Sequence, residues 1–170
     1  MHLVIGGTGY LGQYLCNEFT STNATHRFED SVSDWIDSYE GVDYVWLTAR
    51  TCRKKQPRRD YKTFVNEVAG VNKICRAFPH AHIVYTSTKV VYGITDNEIK
   101  PVSRQDLGKY FINAGLYKNK IINVPECSRN NNIHISTLGE DHKWYAITKL
   151  ACEQIVAQQT HTILRIWDIA

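Results

Sequence analysis

Apolar residues fall along this chain in two alternating rhythms. Residues 2–6 (HLVIG), Asp43 to Thr48 (DYVWLT) and His82 to Thr86 (HIVYT) are short apolar runs, the pattern of strands buried on both faces. Between them the spacing turns helical. Leu11, Leu15 and Phe19 predict a helix from Tyr10 to Thr20, and Tyr61, Phe64, Val68, Val71, Cys75 and Phe78 draw one apolar stripe down a long helix. Pro57 suits the first turn of that helix. Ser21-Thr22-Asn23 reads as a polar loop, Thr25 to Glu29 as a short polar strand and Asp34 to Tyr39 as a brief helical stretch. This alternation predicts an α/β fold: a Rossmann-like, doubly wound parallel sheet covered on both faces, in one domain over residues 1–170.

The first strand runs directly into GGTGYLG, Gly6 to Gly12. Glycines between a strand and a helix suit a phosphate site: Gly6 permits the tight turn, Gly9 lets a pyrophosphate approach the backbone, and Gly12 allows close helix–strand packing. Tyr10 and Leu11 open the helix, whose free N–H groups face the anion. Far downstream, Trp144-Tyr145-Ala146-Ile147-Thr148-Lys149 carries a Tyr-x-x-x-Lys pair in a helical pattern. Side chains at i and i+4 share a face, and an ammonium beside a phenol favours proton exchange below the intrinsic value of ~10. Between these motifs Ile83-Val84-Tyr85-Thr86-Ser87-Thr88 ends a strand in hydroxyls and leads into Lys89-Val90-Val91-Tyr92-Gly93. Ligands bind at that end of an open α/β sheet.

These segments together resemble the extended short-chain dehydrogenase/reductases, in their nucleotide-sugar epimerase, dehydratase and reductase branch. GGTGYLG, YTSTKVVYG, YAITKLACE and the closing Ile163-Leu164-Arg165-Ile166 carry the resemblance, with weaker matches at Val45-Trp46-Leu47-Thr48-Ala49 and Val65-Asn66. It implies an NAD or NADP cofactor on Gly6, Gly9, Tyr10, Leu11, Gly12, Thr48 and Ala49. Tyr145 is then the general acid/base, Lys149 its partner and the holder of the nicotinamide ribose, and Thr88 the hydroxyl that orients the reacting oxygen, with Ser87 as the alternative. Asp30 is the best acidic candidate for the adenosine ribose, while Arg27 hints at a 2′-phosphate, so NAD and NADP both stay open. The implied substrate is a nucleotide-linked sugar, and the implied assembly a homodimer through the Asn66 and Tyr145 helices. A second reading is a non-catalytic dinucleotide-binding module serving as sensor, sequestering protein or subunit.

Two features depart from the family pattern. Only one strand fits between Gly12 and Val45, where the resemblance implies two. The stretch from Ile94 to Lys143 is long and contains Gly108, Gly115, Pro125 and Arg129-Asn130-Asn131-Asn132, so much of it is expected to be loop, an insertion that lids the site or covers surface. The chain stops near the family's sixth strand, which implies that the substrate-binding half is lacking.

Composition narrows the picture further. Hydrophobic residues at 43% and charged residues at 22% suit a globular protein, and a net charge of +3 selects no partner. The basic run Arg50, Arg53, Lys54, Lys55, Arg58, Arg59, Lys62 reads as a solvated loop and helix start, with a nucleotide phosphate as the alternative at this strand's carboxyl end; no interleaved aromatic platform or nucleic-acid motif supports nucleic acid. Cys16, Cys52, Cys75, Cys127 and Cys152 show no C-x-x-C spacing, and the histidines no metal-ligand spacing. Free thiols, no apolar run of membrane-spanning length and no leader before the first strand make a cytoplasmic protein the expectation.

Overall fold

The computed structural model describes residues 1–7, 9–19, 22–24, 36–48, 60–93, 102–124 and 135–166. Its strands are β1 (His2–Ile5), β2 (Thr22–Ala24), β3 (Tyr44–Leu47), β4 (His82–Thr88), β5 (Lys120–Val124) and β6 (His161–Ile166). They form one six-stranded parallel sheet in the order β2-β1-β3-β4-β6-β5. Parallel neighbours need crossovers, and among the described residues four helices supply them: α1 (Tyr10–Glu18), α2 (Tyr61–Ala77), α3 (Arg104–Ala114) and α4 (Glu140–Val156).

Each sheet face buries its own core. On one side α2 and α4 pack against each other and over Leu3, Ile5, Val45, Leu47, Ile83, Tyr85 and Ile163. On the other, α1 and α3 cover Val4, Trp46, Val84 and Leu164. Consecutive residues of a strand thus serve opposite faces, as the pleat requires. At the amino ends of β1, β3 and β4 the rings of His2, Phe19, Tyr44, Trp46 and His82 stack in one pile.

The apolar runs form the strands and helices they predict, with β4 reaching Thr88 and α1 ending at Glu18. Helix α2 starts at Tyr61, where the Asp60 carboxylate accepts from the Thr63 N–H at 3.0 Å as an N-cap. The stretch around Asp34–Tyr39 holds only a short 3-10 turn, Ile36–Ser38. Pro57, Arg27, Asp30, Ala49 and Thr25 to Glu29 lie outside the described residues.

Two expectations are corrected. Thr22 and Asn23 do not end α1 as a loop; they belong to β2, in register with Leu3 and Val4 of β1. Backbone pairing at a sheet edge needs no apolar side chains, so a polar sequence suffices there. Gly108 does not mark a loop either: within the stretch from Ile94 to Lys143 the described residues hold α3, which contains Gly108, and the outer strand β5. Ser103 caps α3 by accepting from the Asp106 N–H at 3.1 Å. Gly108 sits inside α3 because Tyr14 of α1 lies against it: a Cβ there would come within 2.7 Å of the ring.

Candidate active site

The carboxyl ends of β1, β3 and β4 lie side by side, so the sequence motifs meet along one edge of the sheet. After β1 the chain turns through Gly6, whose φ of 89° favours glycine, and the Gly9 N–H donates to the Gly6 carbonyl at 3.0 Å. Helix α1 starts at once, with Gly9 at its N-cap position and no side chain capping it. Gly12 is pressed against the turn: a Cβ there would lie 2.1 Å from the Gly6 carbonyl oxygen. At Gly9 the nearest atom to such a Cβ is 3.4 Å away. The uncapped first-turn N–H groups and the bare backbone at Gly9 suit a pyrophosphate, so these residues fit a dinucleotide.

Around this turn, Leu11 is half-buried on α1 and Tyr10 is exposed, its hydroxyl donating to the Arg104 carbonyl of α3 at 3.1 Å. Thr48 follows β3, and its hydroxyl donates to the Ile5 carbonyl at 2.7 Å, tying the ends of β1 and β3 together. The Thr86 hydroxyl similarly reaches the Leu47 carbonyl at 3.0 Å. Thr88 is buried at the end of β4 and accepts from the Val90 N–H at 3.3 Å, starting the 3-10 turn Lys89–Tyr92 while leaving its own O–H to donate. Ser87 is buried too, and its Oγ has no hydrogen-bond partner among the described residues.

Helix α4 carries Tyr145, half-buried, and Lys149, buried. The Lys149 ammonium lies 5.8 Å from the centre of the Tyr145 ring and 4.9 Å from that of Tyr85. It donates to the Thr86 carbonyl at 3.0 Å and lies 3.4 Å from Oε1 of Glu67 on α2. Burial pulls its pKa down, but the charge of Glu67 and then Tyr145 outweigh this and hold it above the ordinary lysine value. Asn66, the residue of α2 singled out by the resemblance, faces solvent. The helix turns the next residue inward instead.

A second buried ion pair braces the same helix. Arg165 of β6 meets Glu153 of α4 in a two-pronged contact, Nε to Oε1 at 3.0 Å and Nη2 to Oε2 at 2.8 Å. Its Nη1 donates to the Tyr92 hydroxyl at 2.9 Å, which donates to Asn123 of β5 at 2.7 Å. Burial opposes the charge on Arg165, yet the hydrogen bonds and charge of Glu153 raise its pKa. The sequence signalled this pair only faintly, as an arginine inside an apolar strand and a glutamate among apolar helix positions. Among the described residues no cluster of three or more His, Cys, Asp or Glu is placed to hold a metal, and no helix is long and apolar enough to cross a membrane.

This parallel sheet, with its glycine turn between β1 and α1, is the Rossmann-like α/β fold. The chain is similar to a short-chain dehydrogenase/reductase superfamily protein from Agrobacterium tumefaciens with bound NAD, at 19% identity and a TM-score of 0.55, covering 97% of this chain and 48% of that one. It is similar to a UDP-N-acetylglucosamine 4-epimerase from Methanobrevibacter ruminantium in complex with UDP-N-acetylmuramic acid, at 15% identity and a TM-score of 0.59, covering 96% and 53%. A UDP-glucose-4-epimerase from Stenotrophomonas maltophila with bound NAD and formylated UDP-arabinopyranose superposes at 17% identity and a TM-score of 0.58, covering 96% and 52%. The chain therefore spans about half the length of these structures. Compared by sequence, it matches no family model and no curated protein.

Proposed function

We propose that this chain belongs to the extended short-chain dehydrogenase/reductases and binds a nicotinamide dinucleotide, NAD or NADP, for a reaction on a nucleotide-linked sugar. The observation that carries this reading is the glycine turn and the Tyr145–Lys149 pair serving one edge of a parallel sheet, with the ammonium 5.8 Å from the phenol ring. Gly6, Gly9, Gly12 and the start of α1 hold the pyrophosphate. Thr48, directly after β3, lies beside this turn, while Ala49 as a cofactor contact, Asp30 as the acidic partner of the adenosine ribose and Arg27 as a hint of a 2′-phosphate rest on the sequence resemblance alone.

In the reaction Tyr145 passes a proton to or from the substrate oxygen. Thr88 donates its free O–H to that oxygen, and Ser87 is the alternative hydroxyl. Lys149 keeps positive charge beside the phenol, and beyond the N–H it gives the Thr86 carbonyl it has donors left to reach the nicotinamide ribose. The dinucleotide, when bound, supplies the hydride chemistry. The sugar sits beyond the carboxyl ends of the strands, and pairing of two copies through α2 and α4, where Tyr61, Val65 and Ile147 stand exposed, completes the assembly.

Calorimetric titration with NAD(H) and NADP(H), followed by UDP- and dTDP-sugars under the tighter cofactor, tests this. Millimolar dinucleotide without heat or saturation refutes the cofactor step. Saturable binding without turnover of any sugar favours the second reading, a non-catalytic binding module.

A further inference from the structure

Helix α2 buries the face made by Glu67, Gly70, Val71, Ile74 and Cys75. A carboxylate in that stripe is costly unless a partner compensates it. Lys149 from α4 is that partner, and the need is mutual, because the lysine is buried as well. Two other groups near the ammonium cannot take this role at neutral pH. Burial raises the Tyr85 hydroxyl well above its ordinary value, and burial followed by the charge of Glu67 pushes the Cys152 thiol up to about 12. With Tyr145 from α4 itself, these are the titratable side chains around the lysine on α2, β4 and α4. The counter-charge falls to Glu67.

We infer that Glu67 is a positioning residue for the Tyr145–Lys149 pair, its carboxylate keeping the lysine head charged and fixed at the Thr86 carbonyl between α2, β4 and α4. The functional half of this inference rests on the proposed dinucleotide reading, and the ion pair does not. Glu67 acts on the reacting atoms through Lys149, which is what makes it a positioning residue. Glu67→Gln keeps the shape and an acceptor oxygen while removing the charge. Lys149 then stands buried without a counter-ion, and its folded-state pKa drops below the unfolded one. Unfolding such a protein takes up a proton, so its stability rises with pH up to the unfolded lysine value of ~10.4.

The test combines urea unfolding from pH 6.5 to 10 for wild type, E67Q, K149M and E67Q/K149M with the NADH Kd at pH 7 and 9.5 for wild type, E67Q and E67D. E67Q is expected to be less stable than E67Q/K149M at neutral pH, with the gap closing as pH rises. Should E67Q fail to fold at pH 7, refolding at pH 9.5 or on adding K149M replaces that comparison, and failure of both overturns the inference. NADH affinity is expected to be flat with pH in wild type, to weaken about fivefold by pH 9.5 in E67Q as a charge-assisted hydrogen bond becomes a neutral one, and to recover in E67D. A gap that is absent or does not close, or an E67Q affinity profile as flat as wild type, overturns the inference. Wild type that binds no NADH while the gap is present refutes the cofactor reading and leaves the charge-holding role of Glu67 standing.

Discussion

Gly12 and Gly9 sit three residues apart in one turn and are expected to fail in opposite ways. A methyl group at Gly12 would lie 2.1 Å from the Gly6 carbonyl oxygen and 2.7 Å from the Gly7 Cα. Ordinary contacts begin near 3.4 Å, so α1 must withdraw by about 1.3 Å from the strand it follows. Both surfaces are backbone, and no side-chain rotation relieves the overlap. Overpacking of this kind costs about 3 kcal/mol or more, against which alanine returns about 1 kcal/mol of helix propensity. The net loss of about 2 kcal/mol corresponds to roughly 4–8 °C in Tm for a chain of this size. At Gly9 the backbone is extended, with φ −73° and ψ 166°, and the nearest atom to an added methyl is 3.4 Å away. Gly9→Ala should therefore melt within about 0.5 kcal/mol of wild type while weakening dinucleotide binding at least about tenfold, because the methyl occupies the pyrophosphate's approach. Calorimetric melting and NADH titration of both variants separate the two effects. A Gly12→Ala protein that melts with wild type refutes the packing argument, and a Gly9→Ala protein that binds NADH normally refutes the placement of the phosphate.

Four further outcomes are expected. If a sugar substrate is found, Tyr145→Phe should lose about 10²–10⁴ in kcat with cofactor affinity within a few-fold, and near-normal turnover would remove Tyr145 from proton transfer. Burial pushes Cys75 up to about 12, as it does Cys152, so a thiol reagent at pH 8 should label both only after denaturant is added; mass mapping of native labelling checks this. His82 is held below its ordinary value first by burial and then by Lys118 and His161, its Nε2 lying 2.7 Å from the Thr162 hydroxyl. The unfolded chain therefore takes up the proton first, and stability should fall as pH drops below ~6.5, less steeply in His82→Gln. Glu153→Ala leaves Arg165 buried without its counter-ion and should cost about 3–5 kcal/mol in urea unfolding, whereas Lys109→Ala, which breaks the exposed pair with Asp106, should cost under about 1 kcal/mol.

The elements readable from sequence were those whose burial dictates their pattern. β1, β3 and β4 lie inside the sheet and are built on apolar runs, and the stripe from Tyr61 to Phe78 reports one face of α2. β2 escaped notice because an edge strand is held by its backbone. α3 escaped because Gly108 and Gly115 look like helix breakers until Tyr14 is seen to need the space at Gly108. The signal was nonetheless present, since Ser103-Arg104-Gln105-Asp106 has the spacing of a helix-capping pair. At the candidate site, the closeness of Tyr145 and Lys149 was legible because an i and i+4 pair on a helix is local. Glu67 was not, since its role depends on which helix faces α4. Its one sequence trace is an acid where the helical stripe calls for an apolar residue.

The sheet order sets a rule for how this protein must be assembled. Among the described strands β6 is sixth in the chain but fifth across the sheet, and β5, at the sheet's edge, pairs with β6 alone. A growing chain thus makes β5 some forty residues before the strand it will rest on, so β5 must wait without a strand neighbour even though α3 can already pack on α1, Trp46 and Val84. Only when β6 slides beside β4 does β5 gain a neighbour and the Arg165–Tyr92–Asn123 link close. Vectorial synthesis favours early folding of amino-terminal pieces, but completing this sheet takes a long-range insertion, the kind of contact that slows folding. Until it occurs, Ile121 and Ile122 form part of an open strand edge, the interval in which such a chain most needs protection from its own copies.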